Sequence, residues 1–276
     1  MNKKINILIE IILIVVLSTS YNNFIFCQDS SEDTIKANII ELDRGCKLVL
    51  DTKIDITDSL VVEIIKGIRD IIPRIQSLIP LDSITIDLTI SSSNVLPFLG
   101  VGSRTISNDS SITVEFYFDP KNPNFRVEYI PNGLVHECHH ASRLRMPNWQ
   151  FTLLELMIME GLADHFMVEV TNCEQPQWSK ALTEEEINEY MILVKPILRI
   201  KHESWNVEFN EKYFVPWMFG RSGDNPIPAW TGYTLGWRIV ENYLKAHPET
   251  RASSLVFTPA EEIASSTPEL EVDNEK

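Results

Sequence analysis

Apolar and polar positions follow two different rhythms along this chain. From Asp58 to Ile79, DSLVVEIIKGIRDIIPRIQSLI sets apolar residues at helical spacing, with Asp58 placed to cap the first turn. Ile84 to Ile90 (ITIDLTI) and Ile112 to Pro120 (ITVEFYFDP) alternate residue by residue instead, as strands with one buried face do. From Tyr129 the helical rhythm returns and holds nearly to the end. Its punctuation divides it into Asn132 to about Leu144, Phe151 to about Val170, a segment from Thr183, and Trp230 to Leu244. Glu184, Glu185 and Glu186 occupy the first turn of the third segment, where the helix dipole favours acids. Strands and one helix first, then helices, predict an α+β fold: a small N-terminal mixed or antiparallel sheet followed by a mainly helical region. No repeat or low-complexity linker interrupts it. Residues 28–267 are therefore expected to form one domain, followed by an acidic, frayed tail, 268–276.

With 276 residues, 44% of them hydrophobic, the chain is long enough to bury a full core. A net charge of -15 argues against a nucleic-acid partner, which requires clustered Lys and Arg, and disfavours docking on anionic lipid. At the N-terminus, Lys3 and Lys4 precede an apolar run from Ile11 to Leu17 and then small polar residues, the order of a secretory signal. Glu10 leaves the uninterrupted apolar stretch too short for a comfortable membrane span. Residues 1–27 thus read as a signal peptide, cut after Ser20 or Cys27, or as an uncleaved N-terminal anchor. Either implies export, to the periplasm, the cell envelope or the exterior. Cys46, Cys138 and Cys173 are too few and too scattered for a disulfide framework, although a Cys46 to Cys173 bridge is compatible with export.

The densest chemistry lies in LVHECHHASR, Leu134 to Arg143, which holds three of the chain's six histidines. His136, Glu137 and His140 form H-E-x-x-H on a predicted helix, where positions i and i+4 share a face and two imidazoles converge on one metal ion. Glu137, beside the first ligand, reaches a metal-bound water without becoming a ligand itself. The competing reading is an ordinary polar helix face, and three fixed residues alone do not decide between the two. The next helix does. LMIMEGLADHF places Glu160 twenty positions after His140 and Asp164 one turn beyond it. Two antiparallel helices joined by a short turn return Glu160 to the histidine pair, giving His, His and Glu with one open position, the donor set of a catalytic zinc site. Asp164 is then placed to accept a hydrogen bond from the other nitrogen of His136. Gly161 in mid-helix marks a close approach of another backbone.

These motifs resemble the gluzincin superfamily of zinc metallopeptidases. The closer resemblance is to a bacterial family of predicted zinc-dependent proteases, a domain of unknown function. Its H-E-x-x-H-H, E-G-L-A-D, W-x-F-G and G-Y-x-x-G-W motifs are matched here in order by HECHHASR, TLLELMIMEGLAD, WMFG and GYTLGWRIV, over roughly residues 110 to 265. The resemblance implies a zincin-like catalytic region, zinc at His136, His140 and Glu160, and Glu137 as general base. It also implies that ITVEFYF, just before the histidine helix, is the edge strand that holds extended substrate.

Other residues are weighed against this centre. Cys138 falls on a variable position, about 100° round the helix from Glu137, and reads as a small buried residue. His139 reads as structural or as a support to the ligands; His165 is the alternative third ligand, although it should face away from Glu160. His202 and His247 read as surface residues. Tyr233 is the candidate stabiliser of an oxyanion, with a plain core tyrosine as the alternative. Gly232 and Gly236 would let its helix approach the site. Trp217 and Phe219 read as core, and Arg238 as a helix-surface residue.

Together these expectations describe an exported zinc metallohydrolase, a metallopeptidase acting on peptide or protein substrates through zinc-activated water and Glu137. Two alternatives stand beside it: a zinc hydrolase of a non-peptide substrate, and a non-catalytic exported binding domain.

Overall fold

A computed structural model of the protein describes residues 9–10, 38–107, 111–147, 149–202, 206–224 and 226–270. Except for Ile9 and Glu10, the expected leader lies outside these residues. The sheet contains β1 (Ile9–Glu10), β2 (Asn38–Glu41), β3 (Lys47–Leu50), β4 (Ile84–Ile90), β5 (Val101–Ser107) and β6 (Ile112–Phe118), in the spatial order β1-β5-β6-β4-β3-β2. Strands β3, β4 and β6 run parallel; β2 pairs antiparallel with β3 on one side and β5 antiparallel with β6 on the other, and β1 pairs antiparallel with β5. This is the mixed N-terminal sheet of the α+β expectation. Its alternation is that of a sheet with one covered face. Leu48, Ile86, Leu88, Val114, Phe116 and Phe118 are buried, whereas Thr85, Asp87, Glu115 and Tyr117 point to the other side and are half-buried.

Helices α1 (Ser59–Leu78) and α2 (Tyr129–Arg143) cover the apolar face, and Asp58 caps α1 by accepting from the Leu60 N–H at 2.8 Å. Because β3, α1 and β4 form a β-α-β unit, α1 is obliged to cross the sheet. The histidine helix starts at Tyr129, a turn before the expected Asn132. Pro131 is harmless there, since the first turn has no intrahelical partners for its amides.

The second layer is helical. Its centre is α3 (Leu153–Thr171), capped by Thr152, with α4 (Glu184–Val194), α5 (Val207–Phe209), α6 (Val215–Phe219), α7 (Thr231–Ala246) and α8 (Ala260–Ala264) around it. A π-helical turn, Asn210–Phe214, joins α5 to α6. Apolar residues surround α3 on every side, and nearly all of it is buried, as expected for a helix enclosed by others. It crosses α7 at Gly161 and Gly236: a Cβ on Gly161 would collide with the Gly236 carbonyl, and one on Gly236 with the Met157 carbonyl. The two helices meet backbone to backbone, the close approach expected of Gly161.

Several expectations change. Strand β6 is not an edge: β5, which the apolar pattern did not show, pairs with it from Val101↔Phe118 to Ser107↔Ile112. Cys46 and Cys173 form no bridge; Cys46, Cys138 and Cys173 are all free thiols. His202 is not a simple surface residue, because its ring packs on Phe209 and Tyr213 at 4.6 and 5.2 Å. The tail is ordered farther than expected, through a turn at Pro268–Leu270 that buries Leu270, and residues 271–276 lie outside the described ones. No helix among the described residues is long and apolar enough to cross a membrane.

Candidate metal centre and active site

The turn between α2 and α3 brings the two helices antiparallel, and a buried ion pair locks it. Arg143, fully buried at the end of α2, donates to Glu155 in the first turn of α3 from Nε (2.9 Å) and Nη2 (2.5 Å), and from Nη1 to the carbonyls of Val256 and Thr258 (3.1 Å each). Burial lifts the Glu155 carboxyl above its ordinary range, and the neighbouring guanidinium only partly offsets this.

With the turn so fixed, Glu160 lies opposite the histidine pair. Its Oε2 is 3.2 Å from His136 Nε2 and 3.3 Å from His140 Nε2. The two imidazoles meet edge to face with ring centres 4.4 Å apart. One donor atom from each of these three buried residues lies within 4.8 Å of the others. Neither His136 Nε2 nor Glu160 Oε2 has a hydrogen-bond partner, although both are buried. Orphaned buried polar atoms are costly unless something outside the protein satisfies them. A divalent cation held by these three residues would do so, and two imidazoles with one carboxylate suit zinc. Burial pushes the Glu160 carboxyl up, but the His140 and His136 rings outweigh it and hold the group down at about 2.

Asp164 receives three donors. Its Oδ1 lies 2.8 Å from His136 Nδ1, Trp178 Nε1 donates to Oδ2 at 2.9 Å, and the Ser179 hydroxyl donates to the same oxygen. His136 therefore has Asp164 behind it and the orphaned Nε2 in front. Burial alone would lower its basicity, but Asp164 and then Glu160 raise it well above the ordinary value.

Glu137, beside His136, is held from the sheet. Ser103 Oγ donates to its Oε1 at 2.8 Å and Thr105 Oγ1 to its Oε2 at 2.6 Å, both from the inward side of β5. No reading of the chain's motifs pointed to Ser103 or Thr105, or to Trp178 and Ser179. The signal available for the first pair was hydroxyls at i and i+2 of VGSRTIS, which matters only once the strand is known to lie beside α2.

Tyr233 is buried on α7, and its hydroxyl has no hydrogen-bond partner. Burial, with Glu160, Asp164 and Glu137 nearby, pushes it well above the ordinary tyrosine value, so it stays a proton donor. It lines the same cavity as His136 and Trp230. Trp230, just before α7, has a left-handed backbone at φ 70, conformational strain of the kind concentrated at functional sites.

The remaining candidates sit elsewhere. His165 turns to α7, where it stacks on Trp237 with ring centres 3.6 Å apart, and is no alternative ligand. His139 is buried against Phe166, and Cys138 is buried without access to solvent. Trp217 is core, packed edge-on to Tyr190; Arg238 pairs with Glu184 at the surface of α7; His247 is exposed and stacks on Tyr243.

Fold and site together define the class. The profile of the family described as Predicted Zn-dependent protease (DUF2268) matches residues 105–265, more than half of the chain, and the chain belongs to this family. Zinc is accordingly its cofactor, with His136, His140 and Glu160 the buried group able to hold it. Among individual relatives, the chain is 31% identical over 133 residues to the uncharacterized protein YjaZ of Bacillus subtilis (strain 168), covering 46% of this chain and 47% of that one. It thus spans about half the length of the curated relative it matches. Among solved structures it is similar to an aminopeptidase N family protein from Idiomarina loihiensis, with a TM-score of 0.47 and 12% identity, over 84% of this chain and 41% of that one.

Proposed function

We propose that the protein is an exported zinc metallopeptidase of the gluzincin type, in which His136, His140 and Glu160 hold the metal and Glu137 is the general base. The observation that carries this reading is the convergence of the orphaned His136 Nε2 and Glu160 Oε2 with His140 in the middle of α2 and α3, where the residue after His136, Glu137, is a separately anchored carboxylate. Three protein donors leave a position open, whereas purely structural zinc normally takes four. When bound, zinc supplies a Lewis acid that polarises a carbonyl and acidifies water.

Every other step belongs to the chain. Ser103 and Thr105 hold one oxygen each of Glu137, which fixes the plane of the carboxylate. Glu137 takes the proton of the attacking water and passes it to the departing amine, so that the amine leaves neutral. Asp164 holds His136 by Nδ1 and leaves Nε2 on the side of Glu160 and His140, where the three would hold the metal. Tyr233, kept protonated by its surroundings, donates its unpartnered hydroxyl to the oxyanion of the tetrahedral intermediate.

The test is Glu137→Gln, which keeps size and hydrogen-bonding capacity while removing the base. Zinc content should stay at the wild-type level while peptide cleavage falls by about a thousandfold, within the range for general-base loss. Full activity in a zinc-loaded Glu137→Gln protein would refute the assignment.

A further inference from the structure

The cavity that opens beside His136 has a chemistry of its own, which bears on what the site accepts. It encloses about 280 Å³ and runs along one face of α2, from Tyr129 through Asn132 and Gly133 to His136. Most of its lining is apolar, with Leu96, Leu99, Val101, Phe116 and Met167 of α3 among the residues that form it. The charged residues that line it, Glu174 and Lys180, are exposed at the solvent end, apart from His136 itself. A volume near the lower limit for ligand sites suits one or two side chains and not a larger ligand.

We infer that this cavity is the specificity pocket of the proposed peptidase and that it seats a large uncharged side chain, such as Phe or Leu, of a peptide lying across the site. The inference rests on the peptidase reading for its catalytic meaning, but the binding it requires stands on the cavity alone. An apolar side chain entering it leaves water for Leu96, Val101, Phe116 and Met167, a gain worth about tenfold or more in affinity. Asp or Lys gains nothing comparable, because each would be desolvated with no buried counter-charge along the apolar wall. Tyr233 and His136 line the same cavity, so a peptide anchored there would have its backbone near the proposed reacting groups.

The structure also provides a reporter that needs neither zinc nor turnover. Cys173 lines the cavity and is partly exposed, whereas Cys46 and Cys138 are fully buried. In the full chain carrying Cys27→Ser, iodoacetamide should therefore modify Cys173 selectively. The rate is followed by mass spectrometry as blocked hexapeptides, identical except for a single Phe, Leu, Asp or Lys, are titrated in. The Phe and Leu peptides should protect Cys173 at concentrations at least about tenfold below those needed for Asp or Lys. Leu99 is half-buried, and Leu99→Asp, which brings a carboxylate into the wall, should reverse the order in favour of the Lys peptide. Unmodified Cys46 and Cys138 would show that the variant is folded. Equal protection by all four peptides, or none by any, would overturn the proposal. Protection by Phe and Leu without cleavage of those peptides by the zinc-loaded protein would instead leave the pocket in place and remove the peptidase reading.

Discussion

The two glutamates of the site are held in opposite ways. Glu160, on the helical side, is buried among groups that leave one of its oxygens unpartnered and aimed at two imidazoles. Glu137, on the sheet side, has both oxygens occupied by the hydroxyls of Ser103 and Thr105. One carboxylate is left unsatisfied in the way a ligand must be, and the other is oriented in the way a base must be. In the proposed mechanism the same type of side chain, once on α2 and once on α3, is given two roles by what each layer of the fold puts next to it.

The largest expected effect separates these roles outright: Glu137→Gln should remove activity and leave zinc in place, as set out above. Next comes the joint between the layers. Arg143→Met leaves Glu155 buried without its partner, and unfolding by denaturant should show a loss of about 3–5 kcal/mol. The double substitution Arg143→Met with Glu155→Leu should recover much of that, since an apolar pair replaces a buried ionic one. A loss under about 1 kcal/mol in the single variant would mean that the pair does not join the layers as described.

A third effect belongs to the helical side alone. Burial is the main cause that lowers His165, to about 4 from an ordinary value of 6.5. Above pH 6.5 its ring is neutral in both folded and unfolded chains, and the contribution to stability is complete. As pH falls from there through about 4, the unfolded chain binds the proton and the half-buried ring, stacked on Trp237, resists it. Up to about 3 kcal/mol is lost across that window. His165→Gln should flatten this part of the stability profile, and an unchanged profile would contradict the lowered basicity of the half-buried ring. The smallest effect sharpens the sheet side. Ser103→Ala and Thr105→Val, each removing the one hydroxyl that holds a carboxylate oxygen of Glu137, should lower kcat by about tenfold with KM and zinc content unchanged. Thr105→Ser, which keeps the hydroxyl, should restore most of it.

The helical side was also the legible one. His136, Glu137 and His140 announce themselves by spacing within one helix, and Glu160 and Asp164 by a helix period on the next, so a short turn was the only tertiary step needed to assemble them. Gly161 pointed to the α3 and α7 crossing for the same reason. Strand β5 was hidden because its inward positions, where apolar alternation would mark a strand, carry Ser103 and Thr105; the residues that serve Glu137 removed the pattern that would have revealed them. Without β5, β6 looked like an edge. Strands β2 and β3, at four residues each, are too short for a period to emerge. Trp178 and Ser179 reach Asp164 from a turn outside any motif, and only the folded chain brings them there.

The most direct measurement is the zinc content of the purified full-length protein by mass spectrometry after zinc incubation and desalting, alongside His140→Ala and Glu160→Ala. The account predicts about one zinc per chain in the wild type and its loss in both variants, with the fold preserved by circular dichroism. A wild type that retains no zinc, or a Glu160→Ala protein that keeps it in full, would contradict the His136, His140 and Glu160 centre.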